Sequence, residues 1–214
     1  MSLKANMARR SKSSDRWLRE HFSDPFVKRA QAQGWRSRAV FKLEQIDQRE
    51  RLLKPGMLVL DLGAAPGAWS QYVRRRVGPS GRVVATDLLP MEPLAGVEFL
   101  QGDFREAEVV LALKGTLGGA RVDLLLSDMA PNLSGIDAID APRGMYLAEL
   151  ALDMAREVLK PGAAALIKVL QGAGFEELVA LARTRFGRVA CLKPEASRSR
   201  SSETYLLASG MRMV

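Results

Sequence analysis

Apolar and polar positions show two kinds of pattern along the chain from about residue 56 onward. Short runs are predominantly apolar and have no alternating polar face, which is typical of strands buried on both faces of a sheet. The longer stretches between them have the spacing of amphipathic helices. We therefore predict strands over residues 57–62, 82–87, 97–100, 122–128, 164–170, 189–192 and 203–208, and helices over about 67–77, 105–117, 142–160 and 174–186.

The order of these segments predicts the fold. Repeated strand–helix–strand units imply crossover connections and a parallel sheet. Lys54-Pro55-Gly56 and Lys160-Pro161-Gly162 indicate that a helix stops just before each of two strands. The last two strands follow each other without a helix, so we expect an antiparallel hairpin or edge pair. The predicted class is α/β, with a doubly wound, mostly parallel seven-stranded sheet and a terminal antiparallel strand.

Residues 1–55 differ from the rest of the chain in both pattern and charge. Their spacing predicts helices over about 15–22, 24–33 and 37–51 and no strand. Fourteen basic and six acidic side chains give this segment a net charge of +8, while the remaining residues, with 18 of each kind, are neutral. The whole formal charge of the 214-residue chain therefore lies in its first quarter.

Segregated positive charge with interspersed aromatic residues is typical of a nucleic-acid-binding surface, because each neutralised phosphate releases a counterion. A solvated basic face that only keeps the protein soluble is the alternative interpretation. We interpret residues 1–14 as a flexible basic arm and 15–210 as a single domain. Within that domain, 15–55 form a basic helical prefix that contacts RNA, and 56–210 form the cofactor-binding sheet.

Composition and length exclude several classes of protein. No apolar run approaches the roughly 20 residues that span a bilayer, and the first residues lack the apolar core of a secretory signal. One cysteine, Cys191, excludes a disulfide framework, and with a single histidine, His21, a structural zinc site is not expected. We expect a cytoplasmic protein without a bound metal.

The segment between the first strand and the following helix, residues 61–70, is the most informative part of the chain. It lacks the G-x-G-x-x-G pattern of dinucleotide-binding proteins and the Gly-Lys-Ser/Thr of a P-loop. What remains is a tight turn containing Gly63 and Gly67, with Asp61 at its mouth. An aspartate there favours a nucleoside ligand with a cationic reactive group, such as the sulfonium and ammonium of S-adenosylmethionine.

Two further acidic residues follow the next two strands. Asp87 ends the second strand, 20 residues past Gly67, where a carboxylate can accept hydrogen bonds from both ribose hydroxyls. Asp103 follows the third strand and can accept a hydrogen bond from an adenine amino group. Single acids at strand ends are common as caps, but three at successive strand ends favour a nucleoside site.

If the ligand is S-adenosylmethionine, the loop after the fourth strand indicates which kind of atom accepts its methyl group. Asp128 lies in Ser127-Asp128-Met129-Ala130-Pro131-Asn132, which has no aromatic residue to stack on a flipped base, so methylation of an exocyclic amine is disfavoured. Methylation at cytosine carbon needs a cysteine nucleophile, and Cys191 lies in a late strand. Both exclusions favour an oxygen acceptor.

Lys168 interrupts the apolar strand Ala163–Leu170. A lysine in such a strand lowers stability unless it is paired or functional. The alternative is a lysine whose amine reaches solvent at the end of the strand. The sequence leaves open whether a functional Lys168 is a general base or an orienting cation.

These residues together resemble a known family. Lys42, Asp128, Lys168 and Glu203 are similar to the Lys-Asp-Lys-Glu tetrad of ribose 2′-O-methyltransferases, and the chain resembles the FtsJ/RrmJ family. The resemblance runs through residues 15–18, 61–70, 87–91, 127–135, 142–146, 168–172 and 197–205. Ala68 is a departure, because the family often has a second glycine there.

The resemblance implies a Rossmann-like, class I methyltransferase that transfers a methyl group from S-adenosylmethionine to a uridine ribose 2′-hydroxyl in 23S rRNA of the large (50S) ribosomal subunit, in ribosome maturation. It implies that Lys168 takes the proton and that Lys42, Asp128 and Glu203 complete the catalytic set. It also implies cofactor contacts from Gly67, Trp69, Asp87, Asp103 and Asp128. We expect a monomer, with RNA contacts from the basic prefix at Arg16, Lys28, Arg29, Arg36 and Arg38.

Two other functions remain open at this point. A small-molecule O-methyltransferase would use the same cofactor loop but would have little use for the basic prefix. A non-catalytic RNA-binding or ribosome-assembly factor would keep the prefix but would not need Asp61, Asp87, Asp128 and Lys168.

Overall fold

The computed structural model describes residues 24–132, 134–198 and 201–212. The predicted arm and first helix lie outside these ranges. The described helices are α1 (Pro25–Ala32), α2 (Val40–Glu50), α3 (Ala68–Val77), α4 (Ala107–Leu117), α5 (Asp137–Val158) and α6 (Phe175–Arg185). The strands are β1 (Leu58–Leu62), β2 (Arg82–Asp87), β3 (Val97–Gln101), β4 (Val122–Ser127), β5 (Leu159–Leu170), β6 (Phe186–Leu192) and β7 (Glu203–Met211).

The strands form one seven-stranded sheet in the order β3-β2-β1-β4-β5-β7-β6. The pairs from β3 to β5 are parallel, and β7 is antiparallel to both of its neighbours. The prediction of a mostly parallel, doubly wound sheet with an antiparallel strand at its end is therefore confirmed. In space, however, β7 is an interior strand, and β6 forms the edge.

Helices cover both faces of the sheet. On one face, α1, α2 and α3 pack against side chains such as Val59, Leu124 and Leu166. On the other face, α4, α5 and α6 pack against Leu60, Leu125 and Ile167, among others. Because successive strand residues point to opposite faces, each central strand is buried on both sides, which explains why apolar residues predominate on both of its faces.

Two predicted boundaries differ from the structure by five residues. The strand predicted to start at residue 164 begins at Leu159, because Leu159 already pairs with Val122 of β4. Ala164 pairs with Leu124, so Lys160-Pro161-Gly162 is a bulge within β5 rather than a stop before it.

The helix predicted to start at Pro142 begins at Asp137. Proline favours the first turn of a helix, which is why the prediction placed the start there. In the structure Asp140 accepts hydrogen bonds from the backbone N–H groups of Ser134 and Gly135, at 2.9 Å each, and so fixes the chain just before the helix.

Candidate active site

The structure brings Lys42, Asp128, Lys168 and Glu203 together at the carboxyl ends of the central parallel strands. Lys168 Nζ lies 3.0 Å from Asp128 Oδ1 and 3.8 Å from Glu203 Oε2. Lys42 Nζ lies 2.7 Å from Glu203 Oε1 and 2.8 Å from Glu203 Oε2. Two cations and two anions therefore form one continuous network.

Strand register explains why residues so far apart in sequence meet here. Lys168 of β5 pairs with Tyr205 of β7, and Leu170 pairs with Glu203, so Glu203 lies one pleat away from Lys168. Asp128 directly follows β4, which is parallel to β5, and its N–H donates to Leu62 O at 3.0 Å. Lys42 arrives from α2, which packs on the same face of the sheet as Tyr205.

Lys168 is enclosed rather than extended into solvent. Its side chain is 9% exposed, and Nζ donates to the backbone carbonyl of Asp128 at 2.7 Å as well as facing the Asp128 carboxylate. The alternative of a solvent-reaching lysine is therefore wrong. A buried ammonium is tolerated here because carboxylate and carbonyl oxygens surround it.

The charge of Asp128 is set by competing effects. Burial acts to raise the pKa of Asp128, but the nearby ammonium groups of Lys168 and Lys42 and the hydrogen bonds that it accepts outweigh this, and its pKa is lowered overall. Asp128 is therefore ionised at neutral pH and gives Lys168 a fixed counter-charge.

Tyr205 and Ser197 belong to the same network, and the sequence interpretation did not assign them a role. Tyr205 Oη donates to Asp128 Oδ1 at 2.7 Å, and Ser197 Oγ donates to Glu203 Oε1 at 2.8 Å. Burial, together with the charges of Asp128 and Glu203, raises the pKa of Tyr205 well above its ordinary value, so it stays a donor. The two-residue spacing from Glu203 places Tyr205 on the same face of β7, which is the signal that could have found it.

The loop between β1 and α3 depends on two glycines. Gly63 has a φ of +76°, and a Cβ there would lie 2.8 Å from the backbone N and Cα of Met129, so no larger residue fits without moving backbone. Gly67 has a φ of +101° and directly precedes α3. Ala68, where the family often has glycine, is the first residue of that helix and is buried.

Asp61 lies beneath this loop rather than at its mouth, which differs from the sequence expectation. It is 0% exposed, Ser70 Oγ donates to its Oδ2 at 2.6 Å, and its Oδ1 has no hydrogen-bond partner within the described part of the chain. Burial raises the pKa of Asp61 to about 7, and the negative charges of Asp128 and Asp87 contribute to the increase. Pattern alone could not reveal which side of the strand end its carboxyl would occupy.

Asp87 and Asp103 lie at the ends of β2 and β3 as predicted. The Asp87 carboxylate accepts hydrogen bonds from the backbone N–H groups of Ala65 and Leu89, both at 2.8 Å, and so connects the loop after β1 with the loop after β2. Asp103 is paired with Arg105, whose guanidinium lowers the pKa of Asp103 to about 2.

Trp69 is 2% exposed. Its indole N–H donates to Ala39 O at 2.8 Å, and its ring centroid lies 5.7 Å from that of Tyr205. The side chain thus joins α3 to the start of the helix that carries Lys42. Its contact with a cofactor stays a prediction.

The residues predicted to bind RNA differ in their surroundings. Arg38 bonds Asp24 and the backbone carbonyl of Ala196, and the Arg36 guanidinium donates only to backbone carbonyls. Arg29 pairs with Glu44 at 3.0 Å. Lys28 is exposed, with no ion-pair partner among the described residues, and Arg16 lies outside the described ranges.

Within the described residues, no group of three or more histidine, cysteine, aspartate or glutamate side chains is arranged to hold a metal ion. In the same part of the chain, no helix is both long enough and apolar enough to span a membrane.

Comparison with known proteins gives consistent results. Ribosomal RNA large subunit methyltransferase E of Stenotrophomonas maltophilia (strain K279a) is 62% identical over 206 residues, covering 96% of this chain and 98% of the relative. The protein of the same name from Xanthomonas campestris pv. campestris (strain B100) is 61% identical over 206 residues, with the same coverage. A ribosomal RNA methyltransferase structure from Plasmodium falciparum superposes with a TM-score of 0.74 and 27% identity, covering 83% of this chain and 98% of that one.

The sequence model of the FtsJ-like methyltransferase family matches residues 35–211, a range that starts before α2 and ends at the last residue of β7. This range contains all four residues of the charged network and the loop after β1. The chain is therefore a methyltransferase and belongs to the FtsJ-like methyltransferase family.

Proposed function

We propose that this protein transfers the methyl group of S-adenosylmethionine to the ribose 2′-hydroxyl of a uridine in 23S rRNA of the large ribosomal subunit, in ribosome maturation. The observation that carries the proposal is Lys168, a buried lysine held between Asp128 and Glu203 at the carboxyl ends of parallel strands. The full-length similarity to proteins named ribosomal RNA large subunit methyltransferase E supports the choice of substrate. We further propose that it acts as a monomer in the cytoplasm.

The acids around the loop after β1 fit a cationic cofactor. Asp61, Asp87 and Asp128 are close enough that the other two raise the pKa of Asp61. A cation placed near them would relieve this repulsion. S-adenosylmethionine is such a cation, and when bound it would supply an activated methyl group on its sulfonium.

The roles of the charged network follow from its geometry. Lys168 in its neutral amine form accepts the proton of the ribose hydroxyl at Nζ, and the Asp128 carboxylate and carbonyl stabilise the ammonium that results. The ammonium returns its proton to solvent before the next turnover. Lys42 and Glu203, which hold each other at 2.7 Å, orient the acceptor nucleotide. The protein forms no covalent intermediate in this scheme, since its main task is to align the reacting groups.

An RNA acceptor suits this site better than DNA, because only RNA carries the reacting 2′-hydroxyl. The positive charge of residues 1–55 would bind phosphates of a large RNA and has little purpose for a small neutral substrate. A Michaelis constant that rises with salt would distinguish the RNA substrate from a small molecule.

The variant Lys168→Ala tests the proposal. We expect methyl transfer from labelled S-adenosylmethionine to large ribosomal subunits to fall by about 10²-fold or more, because the proton acceptor is lost. Binding of S-adenosylmethionine, measured by calorimetry, should stay close to the wild-type value.

Lys160→Ala is the matched control, since Lys160 belongs to the same strand but lies at its opposite end, where it pairs with Asp123. That variant should keep its activity. Methyl transfer by Lys168→Ala at the wild-type rate would contradict the role of Lys168, and a wild-type protein that leaves ribosomal RNA unmethylated would contradict the proposed function.

A further inference from the structure

The guanidinium of Arg36 lies between two loops at the carboxyl ends of β1 and β2. Its Nη1 donates to Pro66 O at 3.1 Å and to Glu92 O at 2.7 Å, and its Nη2 donates to Pro93 O at 2.8 Å. Pro66 belongs to the loop between β1 and α3, while Glu92 and Pro93 belong to the segment between β2 and β3. One side chain thus connects both loops.

We propose that Arg36 is a positioning residue for the methyl donor, not a contact for RNA phosphates as its sequence context predicted. The inference rests on the proposed function, since it assigns these two loops to S-adenosylmethionine. Arg36 would hold the loops at the separation that the cofactor needs, without itself touching the reacting atoms.

The inner side of the same two loops is fixed independently. Asp87 accepts hydrogen bonds from Ala65 N–H and Leu89 N–H, one from each loop. Arg36 provides the second connection through carbonyl oxygens of the neighbouring residues. The spacing between the loops is therefore defined by two side chains: the Asp87 carboxylate, which accepts from N–H groups, and the Arg36 guanidinium, which donates to C=O groups.

The packing around Arg36 is too close for this arrangement to be incidental. A Cβ on Gly67 would lie 2.8 Å from Arg36 Nη1, so the glycine of the turn also makes room for the guanidinium. Gln71 of α3 fixes the backbone that leads into Arg36: Arg36 N–H donates to Gln71 Oε1 at 3.1 Å, and Gln71 Nε2 donates to Gly34 O at 2.9 Å. The residue is thus held by main chain and side chain together.

Arg36 also lies at the base of the segment that leads to Lys42. The indole N–H of Trp69, on the far side of the turn, donates to the backbone carbonyl of Ala39, which lies between Arg36 and Lys42 in sequence. The position of the cofactor loops is therefore mechanically connected to the helix that carries Lys42. The three hydrogen bonds use three of the five N–H donors of the guanidinium, including both donors of Nη1, so a phosphate contact would be restricted to the remaining two.

Arginine is suited to this role and lysine is not. A planar guanidinium offers five N–H donors in a fixed fork, so it can satisfy three carbonyls in different directions. A lysine carries the same charge but a single ammonium that cannot reach both loops with the same geometry. A residue that only attracts phosphate would tolerate this replacement much better, which gives a sharp experimental distinction.

The test compares Arg36→Lys and Arg36→Ala with the wild type. We expect both variants to raise the Kd of S-adenosylmethionine, measured by calorimetry, and its KM about tenfold to hundredfold, because loop displacement misplaces the cofactor. At saturating S-adenosylmethionine, kcat should fall much less than kcat/KM. Binding of a labelled single-stranded oligouridine, measured by fluorescence anisotropy, should stay at the wild-type level in Arg36→Lys.

Lys28→Ala is the matched control, because Lys28 is an exposed cation of the same basic segment. It should leave the Kd of S-adenosylmethionine unchanged. Hydrogen exchange supplies a readout that does not need activity. In Arg36→Lys, the amides of Leu88, Leu89, Met91 and Glu92 should exchange faster, while those of the central strands do not change. If Arg36→Ala does not fold, the Arg36→Lys variant still decides the question.

Wild-type affinity for S-adenosylmethionine in Arg36→Lys would overturn the inference. A phosphate contact would be identified instead if Arg36→Ala lost oligouridine binding, Arg36→Lys kept it, and cofactor affinity did not change in either variant. These results would leave the proposed function intact. Conversely, a wild-type protein that binds S-adenosylmethionine but leaves ribosomal RNA unmethylated would refute the proposed function, while the effect of Arg36 on cofactor affinity could still be measured.

Discussion

Replacement of Asp61 by asparagine should change how stability depends on pH. Asp61 is fully buried, and burial raises its pKa to about 7 from an ordinary value of 3.8. Between these pH values the folded chain keeps a proton that the unfolded chain has lost. The free energy of unfolding therefore falls as pH rises through this window, and the loss is complete above about pH 7.

The size of the effect follows from the same two values. A difference of about three pH units corresponds to about 4 kcal/mol of stability that the wild type loses between pH 4 and pH 8. Asparagine cannot ionise, and its amide oxygen can still accept the hydrogen bond of Ser70 Oγ. The stability of Asp61→Asn relative to wild type should therefore increase by about 4 kcal/mol across this range.

Urea unfolding followed by far-UV circular dichroism at intervals from pH 4 to pH 8 measures this difference. Asp103→Asn is a suitable control, because Arg105 lowers the pKa of Asp103 to about 2. The contribution of Asp103 is present above its ordinary pKa and lost only as pH falls towards 2, so its difference curve should be flat from pH 5 to pH 8. An equally flat curve for Asp61→Asn would refute the reasoning.

Two further predictions concern the neighbourhood of the site. Gly63→Ala should lower the free energy of unfolding by about 3 kcal/mol, because of the positive φ and the 2.8 Å approach of a Cβ to the Met129 backbone. Gly34→Ala, at a φ of +68° in open space, should lower it by only about 1 kcal/mol. Urea titration of both variants measures the contrast. Tyr205→Phe removes the 2.7 Å hydrogen bond to Asp128 and should lower stability by about 2 kcal/mol. It should also raise the pKa of Asp128 and so move the acid limb of the methyl-transfer pH profile to higher pH; an unchanged acid limb would contradict this role.

The sheet could be predicted from sequence because burial on both faces produces a distinctive pattern. The strands of residues 58–62 and 122–127 are predominantly apolar between turn signals, and their crossover helices require parallel pairing. The bulge at Lys160–Gly162 was not predictable, since a Lys-Pro-Gly tripeptide is usually a turn between elements. Only the pairing of Leu159 with Val122 makes it part of a strand.

The charge of a segment does not by itself assign roles to its individual residues. Arg36 and Arg38 were assigned to RNA because they lie in a basic segment, but a count of charges does not show whether a guanidinium is already bonded within the protein. For Asp61, position at a strand end was predicted correctly, while its burial depended on packing by residues distant in sequence, including Ser70 of α3. Tyr205 was missed although its place on β7 follows from two-residue periodicity.

The interior position of β7 has a consequence for folding. Until β7 inserts, β5 and β6 each present an open row of backbone donors and acceptors, and such edges pair readily with other chains. Chains in which every strand but β7 has folded would thus be the aggregation-prone species. In these chains Glu203 and Tyr205 would not yet be in place in the site. Substitutions that slow the docking of this strand should therefore reduce soluble yield during refolding even where the finished molecule is stable.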